Sequence, residues 1–183
     1  MGKAYVLRCS ACHDETEVIQ GIGNRDGNNE AFFSRISDFK NEIRRRMKAG
    51  ESLEEISKTI QIHHMPSAHG DRLTDAERLK ALTFLIEKDA DLDRKESNGV
   101  DEKGEIWGWN RKPYYCPKCH QIEECIWFRF ISKDKKETYE PTFLCEKCGG
   151  PMVLLEEYKG DILCAKCGAK LEKDYSSIQY WGE

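Results

Sequence analysis

Long apolar runs, an excess of positive charge and an export signal are all missing from this sequence. No window of 18 consecutive apolar residues occurs, so we expect no membrane-spanning helix and no membrane contact. The opening residues, MGKAYVLRCSACHDETEV, contain neither the apolar centre nor the cleavage site of a signal peptide. The net charge of −4 argues against a protein whose whole surface binds nucleic acid, although it permits a local basic patch. We therefore expect a cytoplasmic protein.

Signatures of catalysis are also missing. The sequence offers no nucleophile with a partner base, no glycine-rich phosphate loop and no pair of catalytic carboxylates. With 34% charged and 39% hydrophobic residues, the composition is not that of a disordered chain, but it argues against one large continuous core. We predict a protein that is not an enzyme and whose small core needs additional stabilisation.

Cysteine, in contrast, is abundant and regularly spaced. Eight of the nine cysteines form four C-x-x-C pairs, and Cys125 stands alone. Close pairs in a reducing compartment serve metal binding or redox chemistry rather than disulfides. Eight thiolates fill two tetrahedral four-cysteine sites with none left over. We therefore predict two zinc ions, bound by Cys9, Cys12, Cys116, Cys119, Cys145, Cys148, Cys164 and Cys167.

A C-x-x-C turn, or knuckle, suits zinc for a geometric reason. Two residues between the cysteines bring both sulfurs to one side of a tight turn, whose backbone N–H groups help to hold them as thiolates. A second knuckle completes the tetrahedron, with Zn–S distances of about 2.3 Å. Such binding contributes on the order of 10 kcal/mol of apparent folding energy in small zinc domains.

The spacing between knuckles leaves two pairings open. Fifteen residues separate Cys148 from Cys164, which suits one β-hairpin and favours pairing the third knuckle with the fourth. The first knuckle would then pair with the second across 103 residues. The competing scheme pairs the second knuckle with the third through a longer hairpin and closes the first on the last.

The order of elements predicts an α+β fold, in which zinc-ribbon β-hairpins frame an inserted three-helix block. Strand, knuckle and strand follow one another once at the start and three times in the last third. Between them, EAFFSRISDFKNEIRRRMK has apolar residues at helical spacing, and Ser52/Glu55 and Thr74/Glu77 have capping-box spacing. We assign residues 1–23 to the first knuckle and its strands, 24–90 to the helical insertion, 91–112 to an acidic linker and 113–183 to a zinc-ribbon domain.

Two segments resemble a known class of protein. LRCSAC…TEVIQGIG and YYCPKC…FLCEKCGG…ILCAKCGA are similar to bacterial zinc-ribbon (rubredoxin-like) proteins of unassigned function. The resemblance covers residues 3–23 and 113–173, and it implies zinc at the eight cysteines without implying an activity. Four thiolates also suit iron, so spacing does not choose between the two metals.

A weaker resemblance covers residues 1–90 and implies haem. Class I c-type cytochromes have C-x-x-C-H near the N-terminus, then helices and a Met-Pro whose sulfur is an axial ligand. Here the resemblance implies haem links at Cys9 and Cys12, with His13 and Met65 as axial ligands. Against it, haem attachment normally takes place outside the cytosol, and losing Cys9 and Cys12 would leave three cysteine pairs, which do not divide into four-cysteine sites.

The residue after each knuckle offers a simpler role for His13. This position commonly has a positive φ, which glycine adopts freely and histidine more readily than most other residues. Gly149 and Gly168 occupy it in two knuckles, and His13 and His120 occupy it in the other two. We therefore expect left-handed backbone at all four positions.

A basic cluster on the first helix suggests a partner. Residues 35–48 contain six bases and two acids, and such a cluster could contact phosphate groups or an acidic protein. Closed four-cysteine sites leave no coordination position for catalysis. The leading hypothesis is a zinc-binding adaptor for a protein or nucleic acid, and the alternative is electron transfer through haem c or four-cysteine iron. The basic residues are Arg44, Arg45, Arg46 and Lys48.

Overall fold

The computed structural model describes residues 2–21, 36–60, 73–93, 99–100, 106–107 and 109–181. These ranges contain three helices and eleven strands, which confirms the α+β class. The helices are α1 (Ile36–Lys48), α2 (Leu53–Thr59) and α3 (Asp75–Glu87). The strands are β1 (Gly2–Cys9), β2 (Glu15–Gly21), β3 (Asp91–Leu92), β4 (Gly99–Val100), β5 (Ile106–Trp107), β6 (Trp109–Tyr115), β7 (Ile122–Phe128), β8 (Phe130–Ile131), β9 (Thr138–Tyr139), β10 (Val153–Leu154) and β11 (Leu171–Trp181).

The chain divides into two compact units, each built from separate stretches of sequence. The first comprises Met1–Gly23, Asn110–Ile126 and Phe143–Glu183, and the second comprises Asn24–Trp109 and Trp127–Thr142. All eight paired cysteines belong to the first unit. The four segments assigned from the sequence stay predictions.

The first unit contains two small sheets. One has the strand order β11-β1-β2, with both pairs antiparallel, and the other has the order β10-β6-β7. Strand β1 pairs with β11 over almost its whole length, so the first and last described strands lie in one sheet. Buried residues under this sheet include two of the cysteines. The cluster consists of Leu7, Cys9, Val18, Tyr115, Leu155, Cys164 and Leu171.

The second unit packs the helices with the sheet β3-β8-β9, and it also contains the pair β4-β5. The Ser52/Glu55 capping box predicted for α2 is present in full, since each side chain bonds to the backbone of the other residue. Gly50 has a φ of +99° and follows α1, as expected for a glycine that ends a helix. At the start of α3, the Thr74 side chain accepts a hydrogen bond from Glu77 N. The Glu77 carboxylate does not complete the capping box and instead accepts hydrogen bonds from Tyr139 and Thr142.

None of the helices in the described ranges has the length and apolar character needed to cross a membrane.

Candidate metal centres

All four knuckles have the same backbone structure. In each, the N–H of the first cysteine donates to the carbonyl oxygen five residues later, at 2.7–2.8 Å. The residue after the second cysteine donates back to the carbonyl oxygen of the first, at 2.8–3.2 Å. That residue has a φ of +57° at His13, +65° at His120, +65° at Gly149 and +75° at Gly168. The prediction of left-handed backbone at these positions is confirmed, and it accounts for both histidines without a ligand role.

The first and last knuckles come together to form what we call the terminal quartet: Cys9, Cys12, Cys164 and Cys167. Their sulfurs lie within 4.8 Å of one another. Cys9 Sγ is 3.4 Å from Cys167 Sγ, and Cys12 Sγ is 3.8 Å from Cys164 Sγ. Tetrahedral coordination with metal–sulfur bonds of about 2.3 Å places the sulfurs about 3.8 Å apart. The spacing therefore fits a metal ion and is too long for disulfides.

The second and third knuckles form the inner quartet: Cys116, Cys119, Cys145 and Cys148. Its sulfurs also lie within 4.8 Å of one another, with 3.5 Å between Cys116 and Cys148 and 3.4 Å between Cys119 and Cys145. The two quartets differ in exposure. Each has two buried cysteines, but the other two are exposed in the terminal quartet and only partly exposed in the inner one.

The pairing favoured by spacing is wrong. The structure joins the first knuckle to the last and the second to the third, which is the competing scheme. Residues 149–163 do not form a hairpin between two halves of one site. Instead, β10 in this segment pairs with β6, and Leu155 N donates to Pro113 O at 2.9 Å. The segment thus connects one quartet to the other.

Backbone N–H groups favour one thiolate in each quartet. The N–H groups of Cys12 and Ala11 lower the pKa of the Cys9 thiol to about 6. Burial raises the pKa of Cys116, but hydrogen bonds, led by the Cys119 N–H, outweigh burial and bring it to about 7. The sequence argument that turn N–H groups stabilise thiolates therefore holds for the first cysteine of these two knuckles.

A second thiol in each quartet resists deprotonation. The Asp14 N–H lowers the pKa of Cys12, but the Cys9 and Cys167 sulfurs outweigh it and raise that pKa to about 12. Burial, helped by the Cys119 sulfur, raises the pKa of Cys145 to about 12. A divalent cation among four sulfurs would remove this resistance, so metal binding at either quartet would displace protons.

Two acidic side chains near the quartets, Asp14 and Glu123, were not identified from the sequence. Lys166 N donates to Cys164 Sγ at 3.4 Å, while the Lys166 ammonium pairs with the Asp14 carboxylate rather than with a sulfur. Glu123 Oε1 lies 3.3 Å from Cys145 Sγ, which donates to it, and accepts from Glu146 N. The Asp14 side chain contacts Lys166 of the last knuckle, and the Glu123 side chain contacts the third knuckle. Both contacts join residues far apart in the sequence, so cysteine spacing carries no signal for them.

The residues of the haem hypothesis are only partly described. Cys9 and Cys12 lie in the terminal quartet with Cys164 and Cys167. His13 follows the knuckle with a positive φ. Met65 lies outside the described residues, so the proposed pair of axial ligands stays a prediction.

The basic cluster lies on α1 in the second unit, and its three arginines pair with acids of the chain. Arg44 contacts Asp89 at 2.7 Å, Arg45 contacts Glu42 at 2.7 Å, and Arg46 pairs with Glu51. The Arg45 pair is the most accessible, with side chains 71% and 44% exposed. Lys48 is exposed at the last residue of the helix.

Comparison with known proteins gives no family for the chain. No family model matches the sequence, and no curated protein or solved structure shows significant similarity to it.

Proposed function

We propose that this protein is a zinc-binding adaptor without enzymatic activity, stabilised by one zinc ion in each quartet. The observation that supports it most directly is that all eight paired cysteines meet in two groups of four with sulfur spacing suited to a tetrahedral metal. Four thiolates around one ion leave no open position for a substrate or an activating water, which is typical of structural rather than catalytic zinc. We retain the zinc-ribbon description as part of this proposal.

A cytoplasmic location is consistent with this proposal. The sulfurs in each quartet are needed as thiolates, and reducing conditions keep them available for metal. None of the nine cysteines, all of which lie in the described ranges, forms a disulfide.

Electron transfer is the second candidate. Four-cysteine coordination suits iron as well as zinc, and the exposed Cys12 and Cys167 would bring an iron centre at the terminal quartet within reach of a redox partner. Haem at Cys9 and Cys12 is a less favourable form of this candidate, since it would take both sulfurs from the terminal quartet.

The identity of the metal is tested on protein purified from cells in its native form. We expect a colourless protein with two zinc ions per chain by elemental analysis. A red protein with iron in place of zinc would support the electron-transfer candidate. A Soret band that survives acid–acetone extraction would show covalent haem and contradict the proposal.

The proposed contact with a partner concerns the basic cluster on α1. Surface ion pairs contribute about 0–1 kcal/mol to stability. Arg45 can therefore exchange its exposed contact with Glu42 for a phosphate or carboxylate group of a partner at little cost. Arg46 is more enclosed, with a side chain 18% exposed, and Arg44 shares Asp89 with Lys40 and Lys133. Within the cluster, Arg45 and Lys48 are therefore the best placed to contact an acidic protein or a nucleic acid.

A further inference from the structure

One buried side chain connects the two quartets. Tyr115, at the end of β6, is fully buried and directly precedes Cys116 of the inner quartet. Its hydroxyl oxygen accepts a hydrogen bond from Leu163 N at 3.1 Å, and Leu163 directly precedes Cys164 of the terminal quartet. The same hydroxyl lies 2.9 Å from His120 Nδ1, in the residue that follows Cys119. A single phenol group thus bonds to the knuckle loops of both quartets.

The direction of the bond with Leu163 follows from the available hydrogens. The Leu163 backbone N–H can only donate, so the phenol oxygen is the acceptor in that bond. The hydroxyl group keeps its hydrogen and a second lone pair, so its bond with His120 Nδ1 can form in either direction, depending on the imidazole tautomer. His120 is held by its own knuckle, since His120 N donates to Cys116 O at 2.8 Å.

Packing strengthens the connection. The Tyr115 ring lies nearly parallel to the His120 ring, at 6.1 Å between centroids, and against the Tyr158 ring at 4.8 Å. It belongs to the same buried cluster as Cys9 and Cys164 of the terminal quartet. A shift of the inner knuckle at residues 116–120 therefore moves a group against which the terminal quartet packs.

We propose that Tyr115 is a positioning residue that couples metal binding at the two quartets. Metal at the inner quartet fixes the knuckle that carries Tyr115 and His120, and the phenol oxygen then holds Leu163 and the start of the last knuckle ready for metal. The effect is reciprocal, because coupling between two binding equilibria has the same size in both directions. This inference rests on the proposed function only in requiring that both quartets bind metal.

The test measures the affinity of the terminal quartet with and without the inner one. Cd²⁺ is added to the reduced 183-residue chain in competition with a chelator, and cadmium NMR reports the two tetrathiolate sites separately. The inner site is removed by Cys145→Ser with Cys148→Ser. We expect this removal to weaken Cd²⁺ binding at the terminal quartet about tenfold in an otherwise unchanged chain, which is within the usual range of coupling between sites.

The decisive comparison repeats the removal in a Tyr115→Phe background. Phenylalanine keeps the ring in the core and deletes only the hydroxyl, so we expect the same removal to change terminal-quartet affinity less than twofold. Tyr158→Phe is the matched control, because it deletes a hydroxyl from the adjacent ring and leaves the Leu163–Tyr115–His120 bonds in place. This control should retain the tenfold effect.

The outcomes separate this inference from the proposed function. Two tetrathiolate cadmium signals whose affinities are independent in the unchanged chain would overturn the coupling and leave metal binding intact. A tenfold effect that persists in Tyr115→Phe would overturn the role of Tyr115. The absence of any tetrathiolate signal would contradict the proposed function itself.

Discussion

At the scale of single residues, a histidine closes two of the four cysteine loops. His13 and His120 have φ values of +57° and +65°, in the position that glycine occupies in the other two loops. A positive φ costs most residues about 1–2 kcal/mol, because Cβ approaches the backbone closely. This feature could be predicted from sequence, since it depends only on the local turn and on the residue type.

Substitutions at His13 separate a backbone role from a ligand role. We expect His13→Val to lower the free energy of unfolding by about 1–2 kcal/mol, because a β-branched side chain fits a positive φ poorly. His13→Gly should retain both metal ions and change stability by less than about 1 kcal/mol, because relief of strain offsets greater freedom in the unfolded chain. Chemical denaturation and metal analysis measure both effects. Loss of a metal centre in His13→Gly alone would identify the imidazole as a ligand.

At the scale of elements, Glu77 connects helix α3 to the segment that begins at β9. The sequence indicated a capping box between Thr74 and Glu77, and the structure contains only the half in which Thr74 accepts from Glu77 N. The Glu77 carboxylate instead accepts from Tyr139 Oη at 2.9 Å and from Thr142 N at 3.0 Å. Helix-start spacing is a local signal, and it carries no information on a partner more than sixty residues away.

The Glu77 contacts predict a pH-dependent contribution to stability. Burial raises the pKa of Glu77, but the hydrogen bonds from Thr142 and Tyr139 outweigh it and hold the pKa below its ordinary value. The resulting stabilisation is complete above the unfolded-state pKa and is lost as the pH falls through the folded-state pKa.

Two variants at position 77 test this account by chemical denaturation between about pH 3 and pH 7, a range that includes the ordinary glutamate pKa of about 4.3. We expect Glu77→Ala to lower the free energy of unfolding at pH 7 by about 2–3 kcal/mol, since two donors lose their acceptor. Glu77→Gln keeps an acceptor oxygen and is the matched control, with a smaller loss and a weaker dependence on pH. If both variants unfolded like the unchanged chain at every pH, this contact would contribute nothing.

At the scale of the whole molecule, sequence distance misleads about which knuckles meet. The interval from Cys119 to Cys145 is long because residues 127–142 leave the first unit and join the second. The interval from Cys12 to Cys164 is longer still, because residues 24–109 also belong to the second unit. Strands β1 and β11 nevertheless pair in one sheet and bring the first and last knuckles together. The eight candidate ligands could be predicted from local spacing, whereas their grouping depends on long-range strand pairing.

The central claim is the composition of the two quartets, and metal counting in two double variants tests it most directly. Cys12→Ser with Cys167→Ser removes two ligands from the terminal quartet alone, whereas Cys12→Ser with Cys119→Ser removes one from each quartet. Cys125→Ala, outside both quartets, is the control and should retain two metal ions. After equilibration with zinc and a competing chelator, we predict one zinc ion in the first double variant and none in the second. The opposite result, with none in the first and one in the second, would contradict the grouping of the cysteines described for this protein.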